Sequence, residues 1–132
     1  MIDFITEFMR QSPFGTRLGL RLDGIEPDRA RVVLPYAEAV TTYADVVHGG
    51  AVSTLVDVAA TAAAWSAAEP TEAPRGATVG LSVDFLRAAR GGDLEADARV
   101  IRRGRSLCFC EVDVRLGDDL VAKGLVSYKL GG

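Results

Sequence analysis

Cysteine, histidine and tryptophan are scarce in this chain of 132 residues, which contains two cysteines, one histidine and one tryptophan. Cys108 and Cys110 stand two residues apart in a stretch with strand-like alternation, so they share a face and pair poorly with each other. This arrangement excludes a disulfide framework and a cysteine-based zinc site, and with a single histidine we expect no metal. So little cysteine fits a reducing compartment, and we expect a cytoplasmic protein.

An excess of positive charge is also lacking, because 15 lysines and arginines face 18 acidic residues and the net charge is -3. Proteins that bind nucleic-acid phosphates are usually basic, so we expect no nucleic-acid partner. The first residues lack the positive start and the apolar run of a signal peptide. The length and the hydrophobic content of 48% predict a single domain over residues 1–132 that buries a core.

Hydrophobic periodicity predicts an α+β domain. An amphipathic helix is expected within residues 1–12, followed by a strand over 16–25, where leucines alternate with polar residues, and a second strand over 31–34. Residues 78–130 alternate almost without interruption, which predicts a four-stranded antiparallel meander. The turns between its strands are expected at Gly91-Gly92, Arg103-Gly104 and Gly117-Asp118-Asp119.

Residues 49–68 contain a single charged residue, Asp57, and are apolar on all sides of a helical wheel, which predicts a buried helix. A membrane span is disfavoured because alanine is only weakly apolar and an aspartate in mid-span is costly, so we expect no membrane contact. The predicted architecture is one long central helix wrapped by a curved antiparallel sheet of about six strands.

Asp57 is the most informative residue, since a carboxylate on a buried helix loses hydration and is rarely kept without a partner or a role. It could form a structural hydrogen bond with a hydroxyl on a facing strand, or act as a general base or nucleophile. His48-Gly49-Gly50 precedes the helix, where two glycines allow close approach of a ligand and free N–H groups form an anion or oxyanion site.

The spacing of these groups constrains how they could act together. Asp57 lies seven residues beyond Gly50, which is roughly 10 Å along a helix axis. One reacting carbonyl could not easily contact both, so the two groups are expected to come from two chains. This predicts an obligate homodimer with antiparallel helices, joined sheets and two equivalent sites across its two-fold axis.

The run from Val47 to Asp57, VHGGAVSTLVD, resembles the motif of hotdog-fold acyl-CoA thioesterases of the phenylacetate-pathway type, in the 4-hydroxybenzoyl-CoA thioesterase superfamily. The resemblance covers residues from about 15 to 130. It implies the hotdog fold and hydrolysis of an acyl-CoA thioester to free acid and CoA, without a cofactor, by a homodimer or a homotetramer. The later segments that also resemble the family are 84–87, 92–94, 102–105 and 121–124.

The resemblance also implies roles for three residues of this run. The N–H group of Gly49 would polarise the thioester carbonyl, and His48 would shape the loop. Asp57 of the facing chain would attack the carbonyl or activate water, and the sequence leaves both routes open.

Two further site residues are threonines. Thr78 matches a position where the family often carries a hydroxyl that positions water, and its alternation places it with Gly80 and Ser82 on the more polar face of its strand. Thr42 stands where the family often has an amide that helps to hold the carbonyl, and Asp45 stands where a glycine is common.

Arginines are concentrated between residues 85 and 105, where six of them accompany three acidic residues, a local charge of +3. Arginine suits the 3′-phosphate and pyrophosphate of coenzyme A, although a solvated surface is the alternative for such a cluster. The residues expected to contact these phosphates are Arg87, Arg90, Arg102, Arg103 and Arg105.

Two other functions remain open from the sequence. A hotdog enoyl-CoA hydratase or dehydratase could use His48 with Asp57 as the acid. A non-catalytic acyl-CoA-binding module would share the fold, but a binding groove has no need of a poorly hydrated acid. A dinucleotide-binding glycine motif and a serine nucleophile elbow are both absent from the sequence.

Overall fold

The computed structural model describes residues 2–68 and 75–131, and within them a six-stranded antiparallel sheet wraps one long helix. This confirms the predicted α+β architecture. In chain order the elements are α1 (Ile2–Arg10), α2 (Pro13–Leu18), β1 (Arg21–Glu26), β2 (Arg29–Leu34), a 3-10 turn (Glu38–Val40), β3 (Thr41–Tyr43), β4 (Val46–Val47), α3 (Gly49–Trp65), β5 (Gly76–Phe85), β6 (Leu94–Arg103), β7 (Leu107–Leu116) and β8 (Asp119–Leu130).

The strand order is β1-β2-β6-β7-β8-β5, so the predicted meander is correct only for its last three strands. β5 crosses to the far edge of the sheet and pairs with β8 instead of forming a hairpin with β6. The reason is that the segment joining β5 to β6 is not a tight turn. It pairs with the β3–β4 region, where Ala89 O accepts from Val47 N and Gly91 N donates to Asp45 O.

The core lies between α3 and the concave face of the sheet, and it is built from small side chains. Leu55, Val56 and Ala59 on the helix are fully buried. Small residues let the helix approach the sheet closely, and a Cβ added at Gly124 of β8 would stand only 2.5 Å from Val56 Cγ1. Glycine is therefore required at position 124 by the close packing of α3 on β8.

The N-terminal region differs from the prediction. Residues 13–18 form the short helix α2, not the first half of a strand, and β1 begins only at Arg21. Ser12 caps this helix by accepting a hydrogen bond from Gly15 N at 3.2 Å, and Pro13 occupies its first turn. Gly19 then ends it in the left-handed conformation, with φ of 75°. Local capping thus outweighed the alternating leucines.

Helix α3 begins at Gly49 as predicted but ends at Trp65, three residues before the predicted end. Arg103 donates to Ala64 O at 3.1 Å, and Ser66 Oγ donates to Ala63 O at 2.6 Å, so side chains satisfy the last carbonyl groups. No helix among the described residues is long and apolar enough to cross a membrane.

Candidate active site

The N-terminal end of α3 presents backbone donors in an ordered arrangement. His48 is the N-cap residue, and its Nδ1 accepts a hydrogen bond from Gly50 N at 2.8 Å. The carbonyl of His48 accepts from Ala51 N and Val52 N. In the part of the chain that the structure describes, the N–H of Gly49 has no acceptor. It is therefore a free donor at the positive end of the helix dipole.

A groove of about 360 Å³ runs beside this end of the helix. Thr42 and Gly49 both line it, so the structure brings together two residues that the sequence singled out. The ring of Phe85 covers Gly49 so closely that an added Cβ would stand 3.4 Å from Phe85 Cζ. Arg87 lies on the same wall. The groove thus combines an apolar surface, a free N–H donor and a cationic side chain.

Asp57 lies on the one stripe of α3 that the sheet leaves uncovered. Ser53, Thr54, Asp57, Val58 and Thr61 are half-buried, whereas the residues on the other faces of the helix are buried. The composition of α3 predicts a helix that is enclosed on all sides. The structure differs, because this stripe is only half-buried. A half-buried carboxylate can meet a ligand on this stripe.

Thr78 holds the Asp57 carboxylate, with its Oγ1 donating to Asp57 Oδ1 at 2.5 Å. This is the structural hydrogen bond to a facing strand that the sequence left as one alternative. It occupies only one oxygen, because no other donor to the carboxylate lies among residues 2–68 and 75–131. The bond therefore orients Asp57 without occupying Oδ2.

The orientation of Thr78 corrects the sequence prediction. A β-bulge at Val79 separates Thr78, which lies opposite the buried Tyr128, from Gly80, which lies opposite Ser127. Paired residues in antiparallel strands point to the same face, so Thr78 faces the helix while Gly80 faces away from it. Regular alternation had placed both on one face, and the extra residue of the bulge reverses that phase.

Tyr128 lies close to this pair and was not singled out as a site residue by the sequence. Trp65 Nε1 donates to its hydroxyl oxygen at 3.0 Å. Burial raises the pKa of Tyr128, the hydrogen bond from Trp65 opposes that shift, and the negative charge of Asp57 adds to it. The phenol is therefore neutral at physiological pH. Its strand position showed only a buried residue in an alternating pattern, which carries no functional signal.

The predicted arginine cluster is divided between the two ends of α3. Arg87, on the groove beside Gly49, forms an ion pair with Asp119 at 3.4 Å. Arg90 is close in sequence and pairs with Asp45 at 3.1 Å. Both arginines are more than half exposed, so solvent screening leaves these pairs weak and the guanidinium groups available to a phosphate.

The other arginines lie on or just after β6, where Arg103 contacts the C-terminal end of α3, and the two ends of this helix are about 20 Å apart along its axis. Arg103 is occupied there, because it pairs with Asp28 at 2.7 Å and donates to the carbonyl of Ala64. Arg102 and Arg105 are exposed and form no ion pair with a described residue. The five arginines therefore do not form a single basic rim.

The side chains that could bind a metal are dispersed in the described part of the chain, and the two thiols are buried. No three His, Cys, Asp or Glu side chains converge there to hold a metal ion. Both cysteines are buried and free. Burial raises the pKa of Cys108 and raises that of Cys110 to about 12, so both thiols remain protonated at neutral pH.

Comparison with known proteins decides the family. The model of the thioesterase superfamily matches residues 44–123, more than half of the chain and including both Gly49 and Asp57. The chain belongs to the thioesterase superfamily. Members of this superfamily hydrolyse thioesters, and the predicted hotdog fold is confirmed.

Individual proteins resemble the chain over nearly its whole length. A thioesterase family protein from Silicibacter pomeroyi is 26% identical, with a TM-score of 0.88 over 97% of this chain and 96% of that one. A mutant of the phenylacetic acid degradation protein PaaI from Thermus thermophilus is 23% identical with a TM-score of 0.79 over 89% and 98% of the two chains, a likeness of fold. The medium/long-chain acyl-CoA thioesterase YigI of Salmonella typhimurium is 28% identical over 94% of this chain and 89% of its own length.

Proposed function

We propose that this protein hydrolyses an acyl-CoA thioester to the free acid and CoA, with Asp57 as the group that attacks the carbonyl or activates water. The observation that carries the proposal is the half-buried Asp57 carboxylate, held by Thr78 through one oxygen on the uncovered stripe of α3. Membership of the thioesterase superfamily supports the reaction type. The name of YigI supports an acyl-CoA as the thioester.

The complete site would combine two chains. Gly49 and Asp57 lie eight residues apart on one helix, about 12 Å along its axis, which is too far for both to contact one carbonyl. Among the described strands, none pairs with the outer edge of β5, and this strand exposes Val79, Leu81 and Phe85, a surface that attracts another strand. Pairing of two β5 edges would join the sheets of a homodimer and set the uncovered stripes of the two α3 helices against each other.

In this arrangement, the Gly49 N–H group and the Asp57 carboxylate would together carry out the hydrolysis. The thioester carbonyl oxygen accepts a hydrogen bond from Gly49 N–H of one chain, which stabilises the negative charge that develops there. Asp57 of the other chain either attacks the carbonyl carbon, forming a mixed anhydride that water then hydrolyses, or removes a proton from the attacking water. In both routes the C–S bond breaks and the CoA thiolate leaves. A single turnover in ¹⁸O-labelled water tests the first route, because label found first in the Asp57 carboxylate excludes direct base catalysis.

The phosphates of CoA are best matched by the arginines at the N-terminal end of α3. Arg87 lines the groove that contains Gly49, and Arg90 lies three residues further along the chain. Arg103 is held by Asp28 and the helix carbonyls, so we assign it a structural part instead.

The decisive experiment measures thiol release from a panel of acyl-CoAs by the wild type and by Asp57→Asn. We expect the variant to lose about 10²–10⁴-fold in kcat, the contribution typical of a general base. Asp23→Asn, at an exposed position, is the matched control and should keep wild-type turnover. Wild-type turnover in Asp57→Asn would refute the assignment of Asp57.

The same assay distinguishes the other functions. A hydratase would remove the conjugated double bond of an enoyl-CoA without releasing thiol. A binding module would be stabilised against heat by acyl-CoA and would turn nothing over. The use of His48 Nδ1 in capping Gly50 N disfavours a catalytic histidine and hence the hydratase.

A further inference from the structure

A small cavity lies between α3 and the two N-terminal helices. Its volume is about 130 Å³. Phe8 and Met9 of α1 form one wall, and Val58, Ala62 and Trp65 of α3 form the opposite wall. The ring of Phe8 stands 5.7 Å from that of Trp65, so the wall formed by α1 is anchored on the helix. The lining is predominantly apolar.

The position of this cavity relative to Asp57 suggests what it holds. Val58 and Thr61, which both line it, follow Asp57 by one and four residues. Side chains at positions i and i+4 of a helix are neighbours on its surface, about 5–6 Å apart between Cβ atoms. All three residues lie on the uncovered stripe, so the cavity begins one helical turn beyond the carboxylate.

We infer that the cavity receives the end of the substrate's acyl group and that α1 limits its length. The inference rests on the proposed function. The apolar lining suits a hydrocarbon, and the hydroxyl of Ser12, also on the lining, is already used by Gly15 N. α1 and α2 lie outside residues 44–123, so this wall is not part of the matched family region.

The volume of the cavity limits the size of the acyl group that it can hold. An apolar protein cavity of about 150 Å³ holds one benzene molecule. A cavity of about 130 Å³ therefore accommodates one ring or about six carbon atoms beyond its mouth. We assign the enzyme to acyl groups that end in a single aromatic ring or in a chain of medium length, with hexadecanoyl groups excluded by α1.

The test compares kcat/KM for acetyl-, hexanoyl-, phenylacetyl-, dodecanoyl- and hexadecanoyl-CoA. We expect the wild type to prefer the hexanoyl and phenylacetyl thioesters. Phe8→Ala opens the cavity, and the ratio of kcat/KM for dodecanoyl-CoA to that for hexanoyl-CoA should rise at least about tenfold. Ala62→Leu fills the cavity from the α3 side and should shift the preference toward acetyl-CoA. Two opposite shifts keep the proposal testable if one variant fails to fold.

Phe4→Ala is the matched control. Phe4 packs on Trp65 with ring centroids 6.2 Å apart but does not line the cavity. This variant should lose stability without changing the chain-length profile. If Phe8→Ala and Phe4→Ala give the same dependence of kcat/KM on acyl length, the inference is overturned. Any change in activity would then come from general loosening of α1.

A binding measurement separates this inference from the proposed function. Trp65 is the only tryptophan of the chain, so its fluorescence reports on the cavity directly. Hexanoate and phenylacetate should change its emission in the wild type, whereas acetate should not, and Ala62→Leu should abolish the change. Such a response without any thioester turnover would uphold the cavity and refute the hydrolase. Turnover with no response of Trp65 and no shift in Phe8→Ala would uphold the hydrolase and refute the cavity.

Discussion

The two ends of α3 differ in how the described residues satisfy their terminal backbone groups. At the C-terminal end, the side chains of Arg103 and Ser66 satisfy the last carbonyl groups of the helix, and Asp28 binds both of them, Ser66 through its backbone N–H and Arg103 through its carboxylate. At the N-terminal end, one donor is capped by His48, and the Gly49 N–H points to no acceptor within the described residues. The closed end holds the fold, and the open end is available to a ligand.

The difference follows from the polarity of a helix. Free N–H groups at an N-terminus attract an oxygen that gains negative charge, so leaving one of them open is useful to an enzyme that acts on a carbonyl. Free carbonyl groups at a buried C-terminus offer nothing to such a substrate and cost free energy unless they are paired. The comparison predicts that changes at the open end affect activity and changes at the closed end affect stability.

Among changes at the two ends of α3, the largest effect is expected from Gly49→Pro. Proline has no N–H, so the variant removes the proposed oxyanion donor while breaking no hydrogen bond recorded in the structure. Proline is favoured at the first helical position, and His48 already has the extended conformation that a following proline needs, with φ of -61° and ψ of 135°. We expect kcat to fall about 10²–10³-fold with a nearly unchanged free energy of unfolding.

Gly49→Ala is the control for this variant. It adds the same Cβ at 3.4 Å from Phe85 but keeps the N–H group. It should therefore retain most of the activity that Gly49→Pro loses. Equal losses in the two variants would show that crowding against Phe85, and not the missing donor, is responsible. Thiol release under saturating acyl-CoA measures both.

The next largest effect should appear at the closed end, in Arg103→Ala. The variant removes charge-assisted hydrogen bonds to the Ala64 carbonyl and to Asp28, and we expect a loss of about 2 kcal/mol in the free energy of unfolding. Urea denaturation measures it. Arg105→Ala, at an exposed position without an ion pair to a described residue, should change the free energy by less than about 0.5 kcal/mol. A loss of CoA affinity in Arg103→Ala without loss of stability would reverse its assignment.

The same contrast explains what the sequence could predict. The open end is encoded locally, because His48, Gly49 and Asp57 fall within ten consecutive residues and their spacing on a helix is fixed. The closed end depends on Arg103, which is 39 residues from Ala64 in sequence, and on Asp28, which is 75 residues from Arg103. Contacts over such separations leave no periodic pattern, so the sequence could not predict that Arg103 binds Asp28 and the Ala64 carbonyl.

The errors in β5 have a related cause. Alternation in the sequence predicted that Thr78 shares a face with Gly80 and that β5 is followed by a hairpin. The predicted face of Thr78 is wrong because a β-bulge at Val79 inserts one extra residue. The predicted hairpin is wrong because the β5–β6 connection pairs with the β3–β4 region. Neither event changes the hydrophobic pattern. The pattern therefore predicted the existence of the strand correctly but not its partner or the orientation of its first residues.

A smaller effect is expected from His48→Ala, which removes the cap on Gly50 N. Loss of an N-cap costs about 1 kcal/mol, so the free energy of unfolding should fall by that amount. His48→Asn supplies another acceptor at the N-cap and should recover most of the loss. The pair of variants, compared by urea denaturation, tests whether His48 acts through capping. Failure of asparagine to restore either stability or turnover would indicate a direct role of the imidazole.

The smallest effect should come from the convex face of the sheet, which lies behind both ends of α3. Lys123 donates to Glu111 at 3.0 Å and to Asp113 at 2.8 Å, and Arg99 contacts both carboxylates. The hydrogen bond from Lys123 lowers the pKa of Glu111 below its ordinary 4.5. Burial raises the pKa of Asp113, but the bonds from Lys123 and Arg99 outweigh it and hold the pKa below 3.8.

Depressed carboxyl pKa values stabilise the folded state above their ordinary values, and this stability is lost as the pH falls through the lowered ones. Melting temperatures measured from pH 7 down to pH 3 should therefore decline below about pH 4, by no more than about 4 °C from this network. Lys123→Met should show a smaller decline, whereas Lys129→Met, at an exposed position, should follow the wild type. Because the network supports the sheet behind both ends of the helix, its loss should lower stability without changing the kcat ratio of Gly49→Ala to Gly49→Pro. An equal acid decline in Lys123→Met would show that these ion pairs contribute nothing measurable.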